Sequence, residues 1–242
     1  MLDFVTPPPL PAIEDCQFYH AMDIPGVGPV PGEWDLRGRF DDYTGGVAFA
    51  GKTFLDIGTA SGFLSFEAER RGAEVTSFEA GTEEQKDYLA FGARDHRREI
   101  LRQMKNSYWF AHHHFGSRAR VVHGDIRNLS AIAPPADVVM LGQILAHLRD
   151  PLDAIRHASL LAREHLVISE GSFEADSPIA VFLGTGDGRG IHSWWHLSAE
   201  LYRRWLPVLG FEIVRTSRNQ YRCNVASLRG DVEVWTFVTR RR

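Results

Sequence analysis

Nine consecutive residues, Phe54-Leu55-Asp56-Ile57-Gly58-Thr59-Ala60-Ser61-Gly62, constrain the fold of this chain more than any other stretch. An apolar run ends in an acid, turns through a Gly-x-x-x-Gly loop and enters an alanine-bearing helical pattern. A parallel α/β sheet is built this way, and the turn presents backbone N–H groups and a helix N-terminus to a nucleotide-like ligand. Gly58 and Gly62 allow close approach where a Cβ would collide. Glu79 closes the next expected strand, Glu74-Val75-Thr76-Ser77-Phe78. A carboxylate there can accept hydrogen bonds from both hydroxyls of a ribose.

Asp56-x-Gly58-x-x-x-Gly62 followed by Glu79 resembles the first two motifs of the class I S-adenosylmethionine-dependent methyltransferases. It matches the dinucleotide fingerprint G-x-G-x-x-G less well. Thr59-Ala60 follows Gly58, so the middle glycine that admits a pyrophosphate is absent. The resemblance therefore implies S-adenosylmethionine (SAM), which has no phosphate, as cofactor. A nicotinamide-type enzyme, and a loop that merely lets a helix pack on a strand, are the competing readings. The resemblance extends at fold level over most of residues 52 to 240.

Composition narrows the partners. The 242 residues suffice for one α/β domain with a small appendage, and 44% hydrophobic with 24% charged content is ordinary for a globular protein. No apolar run approaches the ~20 residues of a membrane span, and Met1-Leu2-Asp3-Phe4-Val5-Thr6-Pro7 has no secretory pattern. Cys16 and Cys223 form no C-x-x-C motif. The expectation is a cytoplasmic protein. Lys+Arg of 27 against Asp+Glu of 31 gives −4, without the basic excess of a nucleic-acid footprint. Nucleic acid and membrane are thus disfavoured as partners, and a small-molecule substrate is favoured. Basic clusters at Arg94 to Arg102, Arg203-Arg204 and Arg240-Arg241-Arg242 read as solvated faces.

Residues 1–48 do not read as part of a doubly wound core. Pro7-Pro8-Pro9-Leu10-Pro11 excludes a helix or central strand. Aromatic and ionisable residues then alternate with Pro and Gly, as in a segment that runs over a surface or forms a lid. From residue 52 the pattern alternates: strands at 53–57, 74–79, 119–123, 137–142 and 165–169, helices at 61–71, 82–114 (with a break), 151–162 and 197–209, then strands at 211–217 and 232–239. The expected fold is α/β: a Rossmann-like doubly wound, mostly parallel sheet with an antiparallel C-terminal hairpin edge, in a catalytic domain at 49–242, plus an N-terminal lid extension.

Ligands of open α/β sheets bind beyond the carboxyl ends of the strands. Gly142 and Gln143, ending strand 137–142, therefore lie where the methionine part and sulfonium of SAM are expected. The resemblance assigns Asp125 and Ile126 of Gly124-Asp125-Ile126 to adenine; the alternative is a turn with Asp125 as helix N-cap. His147-Leu148-Arg149-Asp150-Pro151 resembles a subgroup of enzymes that carboxymethylate or methoxylate the wobble uridine of tRNA. His147 reads equally as a base or as a histidine capping the core. In the extension, Tyr19, His20, Trp34 and Arg37 are candidates to cover the cofactor, with Arg37 taking its carboxylate through a two-pronged contact and an aromatic face meeting the sulfonium; stapling the extension to the core is the plain alternative. Together with the loop Asp56, Gly58, Thr59, Ala60, Ser61, Gly62 and with Glu79, these form the expected cofactor site. Gln143, His147 and Tyr19 are the candidates for touching the reacting groups.

Ile191-His192-Ser193-Trp194-Trp195-His196 corresponds, in the resembling subgroup, to part of the acceptor wall. Adjacent tryptophans on a strand point oppositely, so one of Trp194 and Trp195 is expected to face a pocket or a partner. The glycine-dense run Gly184 to Gly190 suits a substrate gate or a plain loop. Ser172, Tyr221 and Asn224, with Glu170 and Arg222, are further candidates on the acceptor side. His112-His113-His114 invites a metal, but helical neighbours are splayed about 100° apart, so no metal is expected.

The leading reading is direct in-line methyl transfer from SAM to a small molecule, natural products among the candidates. Such chemistry rests on alignment and desolvation more than on a base. The alternatives are cyclisation of SAM itself, with release of methylthioadenosine and formation of azetidine-2-carboxylate, a tRNA wobble-base methyltransferase, and a SAM-binding partner subunit without turnover. Nothing in the pattern names the acceptor or the oligomeric state.

Overall fold

The computed structural model describes residues 2–87, 94–184, 193–225 and 229–242. In the N-terminal segment these form β1 (Met22–Ile24), β2 (Gly28–Val30), β3 (Trp34–Asp35) and α1 (Phe40–Tyr43). Then come β4 (Thr53–Ile57), α2 (Phe63–Arg70), β5 (Glu74–Glu79), α3 (Arg94–Phe115), β6 (Arg120–His123), α4 (Leu129–Ile132) and β7 (Ala136–Gly142). The last third contains α5 (Pro151–Leu161), β8 (Ala162–Glu170), β9 (Ser172–Phe173), β10 (Ala180–Phe182), β11 (Trp195–Ser198), α6 (Ala199–Val208), β12 (Phe211–Cys223) and β13 (Gly230–Arg241).

Eight strands make one sheet in the order β3-β12-β13-β8-β7-β4-β5-β6. From β4 the chain winds outward through β5 to β6, then crosses back to β7 on the other flank of β4 and continues to β8. All four pairings among β8, β7, β4, β5 and β6 are parallel, whereas β13 joins β8 antiparallel. This is the doubly wound arrangement, and its switch point lies between β4 and β7. The parallel strands are buried on both faces, as the alternation of side chains requires. Phe54, Met140 and Val167 pack on one face with α2, α3 and the N-terminal segment. Leu55, Ile57, Val139, Leu141 and Ile168 pack on the other with α5 and α6.

Local chemistry sets the helix starts. Asp150 accepts the Asp153 N–H at 3.0 Å with Pro151 in the first helical position, and Ser198 accepts the Leu201 N–H at 3.3 Å. The expected 82–114 helix is divided: a 3-10 turn covers Glu83–Gln85 and α3 begins at Arg94.

The C-terminal hairpin is longer than its apolar core suggested, and it is not bare at its outer edge. Trp34 and Asp35 of β3 pair with Cys223 and Arg222 of β12. At the opposite edge the Val5 N–H donates to Val121 O of β6 at 2.8 Å. The N-terminal segment thus covers part of both exposed sheet edges, which limits edge-to-edge association. The β1–β2 hairpin and the small sheet β10-β11-β9 consist of strands of two to four residues, too short for a periodic signal. The glycine-dense run from 185 to 190 and residues Ile191 and His192 lie outside the described residues.

Candidate functional site

The glycine loop leaves β4 with Gly58 at φ +77°, Ala60 at +51° and Gly62 at +90°. Left-handed backbone at three of five positions curls the loop back over the end of β5. The Gly58 and Thr59 N–H groups donate to Phe78 O at 2.9 and 3.1 Å. An L-residue such as Ala60 rarely adopts this conformation, and such positions cluster at ligand sites. The Ala60 N–H is held by Glu79 Oε2 at 3.0 Å, and Glu79 Oε1 accepts the Ala80 N–H at 2.9 Å. Burial alone would raise the Glu79 carboxyl. Lys86 Nζ, 3.1 Å away, and the two N–H groups outweigh burial and hold it below the usual range. A charged acceptor is therefore fixed at the rim of the loop.

Asp56 acts from beneath. It is buried and accepts Ser65 Oγ at 2.7 Å, in a hydroxyl network that continues through Ser77 to Tyr108. Burial pushes its carboxyl up to about 6. The network locks β4, α2, β5 and α3 together below the loop.

The extension covers the loop from above. The His20 N–H donates to Ser61 Oγ at 2.9 Å, and its ring lies edge-on to Tyr19 at 4.9 Å. Burial lowers His20 to about 3, so its imidazole is neutral. Tyr19 packs on Ala60, Leu101 and Met104, and burial raises its hydroxyl above the ordinary range. Trp34 is buried in the adjoining core. Arg37 is not brought to the loop. Its guanidinium pairs with Asp35 and Asp23 in a cavity of about 600 Å³ at the sheet edge, lined also by Tyr221 and Asp231.

At the other wall, β7 ends in Gly142, where an added Cβ would sit 3.2 Å from Tyr43 Oη. Gln143 follows at φ +50°, with its N–H on Ser169 O at 2.7 Å. This strained corner swings Ile144 over Gly58: a Cβ on Gly58 would meet Ile144 Cδ1 at 2.5 Å. The loop is pinned by Glu170, whose Oε2 accepts the Leu145 N–H at 2.8 Å. His147 ends a 3-10 turn two residues on.

Asp125 caps the turn Ile126–Asn128 through the Arg127 N–H at 2.9 Å and also pairs with the Arg127 guanidinium. The capping contact is thus present. Ile126, Leu148, Arg149 and Asp87 line a cavity of about 80 Å³ beside it. Trp194 closes over this region. Its ring N–H donates to Asp87 O, its backbone N–H to Ala146 O at 2.6 Å, and Arg149 lies 5.5 Å over the ring. The Trp195 ring N–H donates to Arg149 O at 3.0 Å.

Ser172 and Asn224 hold chain segments: Ser172 Oγ donates to Leu197 O at 2.6 Å, and Asn224 Nδ2 to Gly32 O at 2.9 Å. Tyr221 is buried edge-on against Tyr43 at 5.2 Å. The three imidazoles His112, His113 and His114 go to three separate carbonyls, of Ala119, Pro8 and Pro25. Tyr43, Ile144 and Lys86 were not anticipated. Tyr43 ends the four-residue α1, too short for a periodic signal, and only contact with β7 reveals it.

Glu170 carries a titration with a defined sign. Burial lifts its carboxyl from an ordinary 4.5 to about 7 against the three N–H groups of Leu145, Ala146 and Gly171. The folded state then keeps a proton that the unfolded chain has released. The stability from this proton is fully present below pH 4.5 and is lost as pH rises through about 7. A shift of this size corresponds to about 3 kcal/mol. His20 runs the other way, its stabilisation being lost as pH falls from 6.5 towards 3, so the comparison is made between proteins. Urea unfolding of the wild type and Glu170→Gln is expected to show their difference moving by about 3 kcal/mol in favour of the variant from pH 4.5 to 7.5. A constant difference would mean that the carboxyl titrates normally.

No family model matches the sequence, and no curated protein matches it either. Solved structures match in fold. Magnesium protoporphyrin IX methyltransferase from Synechocystis PCC 6803 with bound SAM aligns at TM-score 0.52 and 17% identity, over 80% of this chain and 72% of that one. The 1,6-didemethyltoxoflavin-N1-methyltransferase of Burkholderia thailandensis, with its acceptor and S-adenosylhomocysteine (SAH) bound, aligns at TM-score 0.55 and 15% identity, over 85% and 77%. The N-terminal domain of EvdMO1 in the presence of SAH and D-fucose aligns at TM-score 0.55 and 18% identity, over 95% and 92%. At such identities the likeness is one of fold.

Proposed function

We propose that this chain is a SAM-dependent methyltransferase acting on a small molecule, with the cofactor in the crevice between the glycine loop, Glu79 and the Gly142–Gln143 corner. The observation that carries this reading is the buried, charged Glu79 at the carboxyl end of β5, fixed to the Ala60 N–H of the loop that leaves β4 at the switch point of the sheet. A carboxylate so placed suits a ribose diol, and the absence of a pyrophosphate-admitting middle glycine disfavours a dinucleotide. The fold neighbours crystallised with SAM or SAH support the same ligand.

In this reading SAM supplies a methyl group made electrophilic by the sulfonium. Glu79 orients the ribose, Ile126 flanks the adenine, and Gly58 and Gly62 let the cofactor approach the backbone. Gln143 and Gly142 line the methionyl end, under a cover of Tyr19 and His20. His20, being neutral, adds no repulsion to a cationic ligand. Tyr43 walls the methionyl end beside Gly142, Trp194 closes over the side of Asp87 and Ile126, and both exclude water. Residues 1–48 act as the cover of a catalytic unit at 49–242. Two free cysteines suit a cytoplasmic protein, and among the described residues no helix is long and apolar enough to cross a membrane.

The test is mass spectrometry of the purified protein incubated with SAM, with and without small-molecule acceptor pools. SAH formation dependent on an acceptor, and absent in a heat-killed control, is the expected result. Methylthioadenosine formed without acceptor would replace methyl transfer with cleavage of SAM itself. Because Arg37 is held by Asp23 and Asp35 at the sheet edge, Arg37→Ala is expected to leave SAM affinity by calorimetry within about twofold, as befits a partly exposed ion pair remote from a ligand. A tenfold loss would put Arg37 back in the cofactor site.

A further inference from the structure

Glu170 ends β8 immediately after Ser169, the cross-strand partner of Gly142. Its carboxylate reaches the backbone of the Leu145–Ala146 turn, which directly follows the Gly142–Gln143 corner. It is 5% exposed. Oε2 accepts the N–H groups of Leu145 and Ala146 at 2.8 and 3.4 Å, and Oε1 that of Gly171 at 3.2 Å. Among the described residues no lysine, arginine or histidine pairs with it. Burial first, and the Glu170 charge after it, raise three tyrosine hydroxyls above their ordinary range: Tyr19 from the extension, Tyr43 from α1 and Tyr202 from α6. Tyr43 Oη is also the group beside Gly142.

A carboxylate buried without a counter-charge is costly unless something compensates it. Holding the Leu145–Ala146 turn needs only acceptor atoms, which an amide or hydroxyl supplies without that penalty. Both oxygens already receive backbone donors, so the geometry does not present Glu170 as a base toward an acceptor. What remains is its charge, placed against the turn that follows the corner facing the methionyl end of the ligand.

We propose that Glu170 is the counter-charge by which the crevice distinguishes a sulfonium-bearing cofactor from its neutral thioether product, an inference that rests on reading the crevice as a SAM site. SAM and SAH differ at this position by a methyl group and one positive charge. A negative charge in a low-dielectric wall therefore favours the first over the second, and its removal acts on one ligand alone. Loss of that preference after transfer would also favour product release.

The experiment is calorimetric titration of the full chain with SAM and with SAH, in the wild type, Glu170→Gln and Glu170→Asp. It is run at about pH 8.5, above the value of about 7 to which burial lifts Glu170, so that its carboxylate is charged. In Glu170→Gln the ratio Kd(SAM)/Kd(SAH) is expected to rise at least about tenfold over the wild type, through SAM alone, with SAH within about twofold. Glu170→Asp keeps the charge and is expected to keep the wild-type ratio. Glu170→Met, a neutral side chain of similar volume, replaces the glutamine variant if the latter does not fold. Equal losses for both ligands would overturn the inference and leave Glu170 as a support for the Leu145–Ala146 turn. An unchanged ratio in the neutral variant would overturn it as well. A wild-type protein that binds neither ligand would instead overturn the cofactor reading itself, and this inference with it.

Discussion

Glu79→Ala is expected to lower the affinity for SAM at least about a hundredfold, the largest effect on binding of any single substitution in the crevice. A hydrogen bond to a charged acceptor contributes roughly 1.5–3 kcal/mol, and a ribose diol offers two. Losing both corresponds to about two or more decades in Kd. The alanine also releases the N–H groups of Ala60 and Ala80, which Glu79 holds at 3.0 and 2.9 Å. Ala60 is at φ +51°, a conformation that needs such support. Glu79→Gln separates the two contributions, since the amide oxygen can still accept one N–H while the charge is gone. It is expected to lose less affinity than the alanine. Calorimetry on the three proteins, with circular dichroism to verify folding, decides the matter. Wild-type affinity in Glu79→Ala would mean that the ribose does not lie against this residue, and the crevice would have to be reassigned.

The parallel half of the sheet was legible because its strands are buried on both faces and are bounded by glycine and acid. Thr53–Ile57 and Glu74–Glu79 have the ends the pattern implies. The glycine loop was legible for the same reason: few residues other than glycine tolerate φ values of +77° and +90°. Periodicity failed where strands fall to two or three residues. Met22–Ile24, Trp34–Asp35 and Ala180–Phe182 are defined by their partners across space, and no window of sequence contains those partners. The hairpin Phe211–Cys223 with Gly230–Arg241 outran the expected 211–217 and 232–239 because its added stretch begins with the polar residues Arg218, Asn219 and Gln220, of which Arg218 and Gln220 are exposed. Cross-strand pairing extends such a ribbon without hydrophobic patterning.

Side-chain roles were less legible than backbone ones. Asp56 has the acid the motif requires, yet its carboxylate turns down to Ser65. Arg37 has the right chemistry for a carboxylate, but Asp35 lies two residues away and Asp23 on a neighbouring hairpin, and together they hold it. A sequence displays a donor without displaying the acceptors folding will bring to it. Glu170 is the converse. Its residue type is unremarkable at a strand end, and only burial beside Gly142 and Tyr43 gives its charge a consequence.

Gly62→Ala is expected to destabilise the fold by about 2–5 kcal/mol, the largest effect on stability of any glycine substitution in the loop. Two independent causes contribute. Gly62 sits at φ +90° at the start of α2, and a left-handed conformation costs an L-residue roughly 1–2 kcal/mol. Its Cβ would also lie 2.5 Å from the Phe66 ring and 2.8 Å from the Tyr108 ring. Those rings cannot yield cheaply, since Phe66 packs on Tyr108 at 5.2 Å and stacks on Phe115 at 5.3 Å, and the Tyr108 hydroxyl is bound to Ser77. Forcing them apart costs roughly 1–3 kcal/mol. Gly116→Ala is the control, because Gly116 has φ +59° but nothing within 4 Å of an added Cβ, so it meets the backbone penalty alone. Urea unfolding of both variants is expected to show Gly62→Ala the less stable by about 1–3 kcal/mol. Equal losses would show that α2 and α3 do not close on Gly62, and the loop would then owe its shape to backbone conformation and the Glu79 contact instead of to packing beneath it.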